Sequence, residues 1–189
     1  MEELLRQIRR FLPENEQEAR DRLEILRRLE SGEQLLCRTN LSAHLTASAW
    51  VVNPARSRVL MAHHNLYHSW AWLGGHADGE ADLAAVALRE VREESGAEEL
   101  RLLSPDPFSL EILCVDGHEK KGGYVPSHLH LNVTYLVEAP DNQPLRVCRE
   151  ENSGVAWFTP DDALAASSEP WFRERIYAKL NRKLRAFRG

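Results

Sequence analysis

Apolar residues return at helical spacing through the first 32 positions. They are Leu4, Leu5, Ile8, Phe11 and Leu12, then, past Pro13, Leu23, Ile25, Leu26 and Leu29, up to a stop at Gly32. This predicts a helical hairpin over residues 1–35, laid on a domain or on a second subunit and carrying no cluster of chemical interest. From residue 44 the pattern changes to strands. HLTASAWVVN, SRVLMAHH, FSLEILCVDG, HLHLNVTYLVEA and GVAWFT are short and rich in β-branched and aromatic residues, with turn signals at Asn53-Pro54, Gly122-Gly123 and Asp141-Asn142. Between the second and third of them, ADLAAVALREVREES is rich in helix formers. The chain closes on EPWFRERIYAKLNRKLRAFRG, a further helix with Pro170 near its first turn. The expected class is α+β, with one helix embedded among strands and a division into 1–35, a main domain over 36–168, and a basic helix over 169–189 packed on that domain.

Composition narrows the reading. The 189 residues suit one domain with a small appendage, and 43% hydrophobic with 28% charged residues is ordinary for a globular chain. A net charge of −5 argues against bulk nucleic-acid binding but leaves anionic small molecules open where a metal screens them. From Trp171 onward there are seven Lys/Arg and one Glu, which reads as a solvated helix face complementing an acidic body. No apolar run approaches the roughly 18 residues of a membrane span. The charged start MEELLRQIRRFLPENE is unlike a signal peptide. Cys37, Cys114 and Cys148 form neither a disulfide framework nor a Cys-x-x-Cys site, so a reducing, cytoplasmic setting is expected.

The chemistry concentrates at the end of the embedded helix. At about 100° per residue, Glu90, Glu93 and Glu94 fall on one side, beside a stripe of Ala84, Ala87, Leu88 and Val91 that can face a core. The helix C-terminus is the wrong end for negative charge. Arg89 can pair at i, i+4 with Glu93, yet one guanidinium cannot neutralise three carboxylates. Two unit charges about 4 Å apart cost on the order of 4 kcal/mol at an effective dielectric near 20. A divalent cation with hard oxygen ligands, Mg²⁺ or Mn²⁺, supplies the missing charge. The competing reading is an exposed, salt-bridged helix face.

Gly75, Arg89, Glu90, Val91, Glu93, Glu94 and Gly96 stand at the spacing G-x5-E-x7-R-E-U-x-E-E-x-G-U, where U is aliphatic, with Ala97 in the last position. This resembles the signature of the Nudix hydrolase family. Trp70, Gly74 and Gly75, the stretch HLTASAWVV and the stretch VAWFTPDDAL also look like it, so the resemblance spans about residues 40 to 165. It implies a mixed sheet sandwiched between helices, an α/β/α arrangement with the signature as loop–helix–loop. It also implies metal-assisted hydrolysis of a nucleoside diphosphate linked to another moiety. Glu90, Glu93 and Glu94 would hold the metal, Arg89 would orient them, and Gly75 and Gly96 would supply tight backbone conformations around the helix. The first signature glutamate falls on Ala81; Glu80 is the expected substitute, the alternative being that Asp82 only caps the helix and the role is empty. Glu151, with Glu150 beside it, is the candidate general base, each also readable as a solvated loop residue.

All eight histidines lie between residues 44 and 130. His128 and His130 alternate on a strand and point to one face. Such a pair can bind zinc, but no third ligand is apparent and Cys114 is a guess, so lining a pocket is the expectation. His63, His64, His68 and His76 surround Trp70 and Trp72, which are expected to line the substrate pocket against a default of core packing. Lys120 and Lys121 in HEKKGGY can reach phosphates or sit on a plain hairpin. The partners expected are a small nucleotide-type substrate, no membrane, no bulk nucleic acid, and a second copy of the chain through the terminal helices. Two other classes compete: a catalytically silent binding or regulatory module on the same fold, which should have lost the glutamates, and a prenyl diphosphate isomerase, which should carry a cysteine motif not found near Cys37. A proline about fifteen residues past the signature, associated with ADP-ribose substrates, is absent, Ile112 standing there.

Overall fold

A computed structural model describes residues 1–120 and 122–188, without the side chain of Lys120. The phosphate-reaching role expected of Lys120 and Lys121 therefore lies outside the described residues. The strand-like stretches assemble one mixed sheet. Strand β1 (Ala43–Val52) is its axis and runs parallel to β9 (His128–Glu138) along its whole length. The opposite edge of β1 divides. Strand β4 (Leu73–His76) pairs from Thr46 to Ala49, and β2 (Val59–His64) takes over at Val51 and Val52. Strands β3 (Ser69–Ala71) and β10 (Asn152–Phe158) pair with β2, while β5 (Arg101–Leu102) and β6 (Ser109–Val115) pair with β9. Strands β7 (His118–Lys120) and β8 (Gly123–Val125) form a separate hairpin.

The register sorts side chains by parity. Ala43, Leu45, Ala47, Ala49 and Val51 of β1, with Leu131, Val133, Tyr135 and Val137 of β9, make one buried face. Leu83, Val86, Ala87 and Val91 of helix α3 (Leu83–Ser95) close it. On the other face, Trp50, Val52, Met61 and Leu136 meet Ile176, Tyr177, Leu180 and Leu184. These last come from a wide-turned π-helical segment (Phe172–Tyr177) continuing into α5 (Ala178–Ala186), next to α4 (Pro160–Ala166). The α+β class and the sheet between helices are thus as the sequence predicts.

Helices α1 (Glu2–Arg10) and α2 (Glu16–Glu30) form the expected hairpin, α1 stopping ahead of Pro13 and α2 capped by Asn15, whose side chain accepts from the Glu18 amide. Helix α2 covers the outer edge of β6, where Asp21 accepts the Ile112 amide at 3.2 Å. One residue of the hairpin, Glu18, enters a buried ion-pair network with β6 and α5. Lys179 of α5 is fully buried, 3.2 Å from Glu18 of α2 and 2.9 Å from Glu111 of β6. Lys183 reaches Glu18 at 3.0 Å. The tail complements an acidic body, as predicted, but its face is not wholly solvated, because Lys179 lies on the side of the helix that meets the sheet.

Candidate active site

Helix α3 starts and stops on local signals. The Asp82 carboxylate accepts from the Ala84 and Ala85 amides, and Gly96 ends the helix in the left-handed region at φ 69°. Glu80 lies at the opposite end of the helix from Glu93 and Glu94, accepting the Asp82 amide at 2.8 Å. Gly75 has ordinary strand backbone, so its duty is room rather than a special turn. A Cβ there would stand 2.4 Å from Glu90 Oε2, and one on Gly74 would stand 2.5 Å from the Ala47 carbonyl oxygen. Strand β4 can pass between β1 and α3 because both positions lack side chains.

This close approach seats the carboxylates. Glu94 is 4% exposed; its Oε2 accepts from the Gly74 amide at 2.8 Å and its Oε1 from Asn152 Nδ2 at 3.2 Å. Burial pushes its carboxyl up to about 8, against those two hydrogen bonds, and the charges of Glu151 and Glu90 add to the rise. Burial also raises Glu90, opposed by Arg89 and reinforced by Glu93 and Glu151. Arg89 bonds Glu90 at 2.7 Å, stands 3.9 Å from Glu93, and donates to the His76 carbonyl at 3.1 Å. Its tight partner is therefore the adjacent Glu90 rather than Glu93 one turn on. Glu93 projects into solvent. Glu151 is exposed beside Asn152, near enough for its charge to act on both Glu90 and Glu94.

Sequence reasoning missed Asn152. Nothing in its neighbourhood marks it, and it reaches Glu94 only because β10 begins beside the C-terminal part of α3. Its Oδ1 is buried without a hydrogen-bond partner among the described residues. Two carboxylates with raised proton affinity, a solvent-facing third and that oxygen, with one guanidinium beside them, are hard oxygen groups of the kind a divalent cation takes.

The other expected pocket residues separate into two places. Trp70 packs edge-on against Phe158 and His63, at 4.8 and 5.4 Å between ring centres, and Trp72 against Phe172 and Tyr177. Both are half-buried beside the aromatic core under α5. His128 and His130 instead join His44 and His76, with ring centres of His44 4.8, 5.0 and 5.1 Å from those of His128, His130 and His76. The content of histidine between 44 and 130 was the only signal for this grouping.

Several solved structures share the fold. The C. elegans Ap4A hydrolase, in a binary complex, is 21% identical with a TM-score of 0.55, over 76% of this chain and 96% of that one. A NUDIX-family hydrolase from Clostridium perfringens is 19% identical, TM-score 0.53, over 76% and 97%. The E. coli dihydroneopterin triphosphate pyrophosphohydrolase is 14% identical, TM-score 0.52, over 76% and 93%. At these identities the likeness is one of fold. No curated protein matches the chain. A family model described as the NUDIX domain matches residues 42–180, the stretch that holds the sheet, α3 and its glutamates. The chain belongs to the Nudix family and is a hydrolase acting on phosphorus-containing anhydrides.

Proposed function

We propose that the protein is a Mg²⁺- or Mn²⁺-dependent pyrophosphohydrolase, cleaving a phosphoanhydride bond in a nucleoside diphosphate linked to another moiety. The observation that carries this is the Glu90–Glu94 pair. Glu94 is nearly inaccessible, burial pushes its carboxyl up to about 8, and no cationic side chain of the described residues is among its hydrogen-bond partners. Folding does not by itself favour a carboxylate in such a place, whereas holding a cation against phosphate does. Glu90, Glu93 and Glu94 are the ligands in this reading. When bound, the ion supplies Lewis acidity toward a phosphoryl oxygen and toward the attacking water.

The remaining residues position and move protons. Arg89 fixes Glu90 through a 2.7 Å ion pair, and the Gly74 amide and Asn152 fix Glu94. Glu151, exposed beside them, takes the proton of the attacking water as general base. Glu80 serves in a lesser role, its carboxylate being engaged at the Asp82 amide. Trp70, Trp72, His128 and His130 flank the substrate in this reading. Free cysteines at 37, 114 and 148 suit a cytoplasmic setting. No described helix is long and apolar enough to cross a membrane. Self-association through the terminal helices belongs to this reading as well.

The test is a panel of nucleoside triphosphates, nucleotide sugars, dinucleoside polyphosphates and coenzymes, incubated with Mg²⁺ or Mn²⁺ and assayed for released phosphate or pyrophosphate. Turnover of at least one class is expected, abolished by EDTA, lowered by orders of magnitude in Glu94→Gln and less in Glu80→Gln. Full activity after exhaustive chelation would refute the metal dependence.

A further inference from the structure

We propose that His44, His76 and His130 form a second metal site, built of imidazole nitrogen for a borderline divalent cation of the Zn²⁺ class and separate from the carboxylates of α3. Three neighbouring strands supply it. His44 on β1 and His130 on β9 are direct partners in the parallel register, and His76 on β4 pairs with Thr46, two residues along β1 from His44. Alternation sends all three to the same face of the sheet. One ring nitrogen from each lies within 4.8 Å of the others. Three nitrogens about 2.0–2.1 Å from a tetrahedral zinc stand roughly 3.4 Å apart, so rotations of the rings suffice to close the site on rigid strands.

The hydrogen bonds prepare the rings as ligands. His44 Nδ1 lies 3.2 Å from the Asn40 carbonyl, an acceptor only, so the proton is on Nδ1 and the lone pair on Nε2. That Nε2 is buried and has no hydrogen-bond partner among the described residues. An orphaned buried acceptor is destabilising, and a metal bond removes that cost. His128 Nδ1 lies 2.8 Å from the Pro126 carbonyl and is likewise the protonated nitrogen, leaving its Nε2 to accept at 3.1 Å from His130 Nε2. His130 therefore donates from Nε2 and carries its lone pair on Nδ1. His128 acts as the outer partner that orients a metal-binding imidazole and sets its tautomer.

The chemistry separates this site from the first. It offers three nitrogens and no carboxylate, a set that disfavours Mg²⁺, and three protein ligands leave one tetrahedral position for water or an anionic oxygen. The two sites meet through one residue, since Arg89 bonds the Glu90 carboxylate and also the backbone carbonyl of His76.

The experiment measures zinc directly, without turnover. The full chain is stripped with chelator and titrated with Zn²⁺ alone against a chromophoric competitor, with millimolar Mg²⁺ present to occupy the carboxylates. One tight equivalent per chain is expected, and Co²⁺ in its place should give the intense visible bands of a tetrahedral site. His44→Gln and His130→Gln should each weaken zinc by 100-fold or more, and His128→Gln by about 10–100-fold through the lost orientation. Glu94→Gln should leave it unchanged. If His44→Gln or His130→Gln fails to fold, the cobalt spectrum of the parent and the His128→Gln titration decide. Zinc binding lost with Glu94 but kept without His130, an octahedral cobalt spectrum, or no tight equivalent in the parent would each overturn the site. Because binding is read directly, failure of the hydrolase reading leaves this test intact.

Discussion

Replacing Glu94 by glutamine tests the electrostatics on which the active-site reading depends. Burial pushes the folded carboxyl up to about 8 from the ordinary value near 4.5, because it disfavours the charge more than Gly74 and Asn152 stabilise it. A raised folded pKa means that the native state holds a proton the unfolded chain has released. The associated stability is fully present below about pH 4.5 and is lost as pH rises through 8. The loss is about 1.4 kcal/mol per pH unit, tapering near the folded pKa, which comes to roughly 2 kcal/mol between pH 6.5 and 8. The buried histidines are depressed, so their effect runs the other way and falls mostly below 6.5, outside this window. Glu90 adds to the slope in parent and variant alike. Glutamine copies the protonated acid, and a rotated Asn152 can offer its unpartnered Oδ1 to the new amide, so at pH 6.5 the two proteins should agree within about 1 kcal/mol. By pH 8 the variant should have gained roughly 2 kcal/mol on the parent, a midpoint difference on the order of 1 M urea for a slope near 2 kcal/mol/M. Urea titrations in EDTA at four pH values measure this. A parent–variant difference that stays flat from pH 6.5 to 8 would show that Glu94 is not held protonated, and the argument for a cation site would fail with it.

Arg89→Lys keeps the charge but not the planar fork on Glu90, so turnover should fall and the Mg²⁺ titration move to higher concentration, with melting temperature nearly unchanged; an unaltered Mg²⁺ curve removes the orienting role. Gly75→Ala puts a methyl 2.4 Å from the Glu90 carboxylate and should cost about 1–3 kcal/mol in urea unfolding together with at least tenfold in activity. Parent-like activity in that variant would mean that the position of Glu90 is not critical. Lys179→Met leaves Glu111 and Glu18 facing a buried thioether, with Lys183 to offset only part of the charge at Glu18. A loss of about 3 kcal/mol is expected, and less than 1 kcal/mol would show the buried network to be energetically idle.

Much of this protein was legible because it is local. Helical period alone puts Glu90, Glu93 and Glu94 on one side of α3, Asp82 and Gly96 mark its ends, and alternation with β-branched content finds β1, β2, β6, β9 and β10 to within a few residues. The short strands β3, β4 and β5 escaped because two to four residues carry too little periodicity to be read. What the sequence could not contain is register and contact across the chain. The need for glycine at 75 is set by how closely β4 passes α3, and the buried state of Glu94 by Asn152 arriving from a strand 58 positions away. Lys179 reads as one more cation of a basic tail until the sheet and α2 enclose it. His44, His76 and His130 are ordinary histidines in three separate stretches, and only the parallel pairing of β1 with β9 and the antiparallel pairing of β4 bring them together. Periodicity is a property of neighbours in the chain and can be read from it; proximity between strands depends on which edges pair and in which register, which the buried faces of the whole fold decide together.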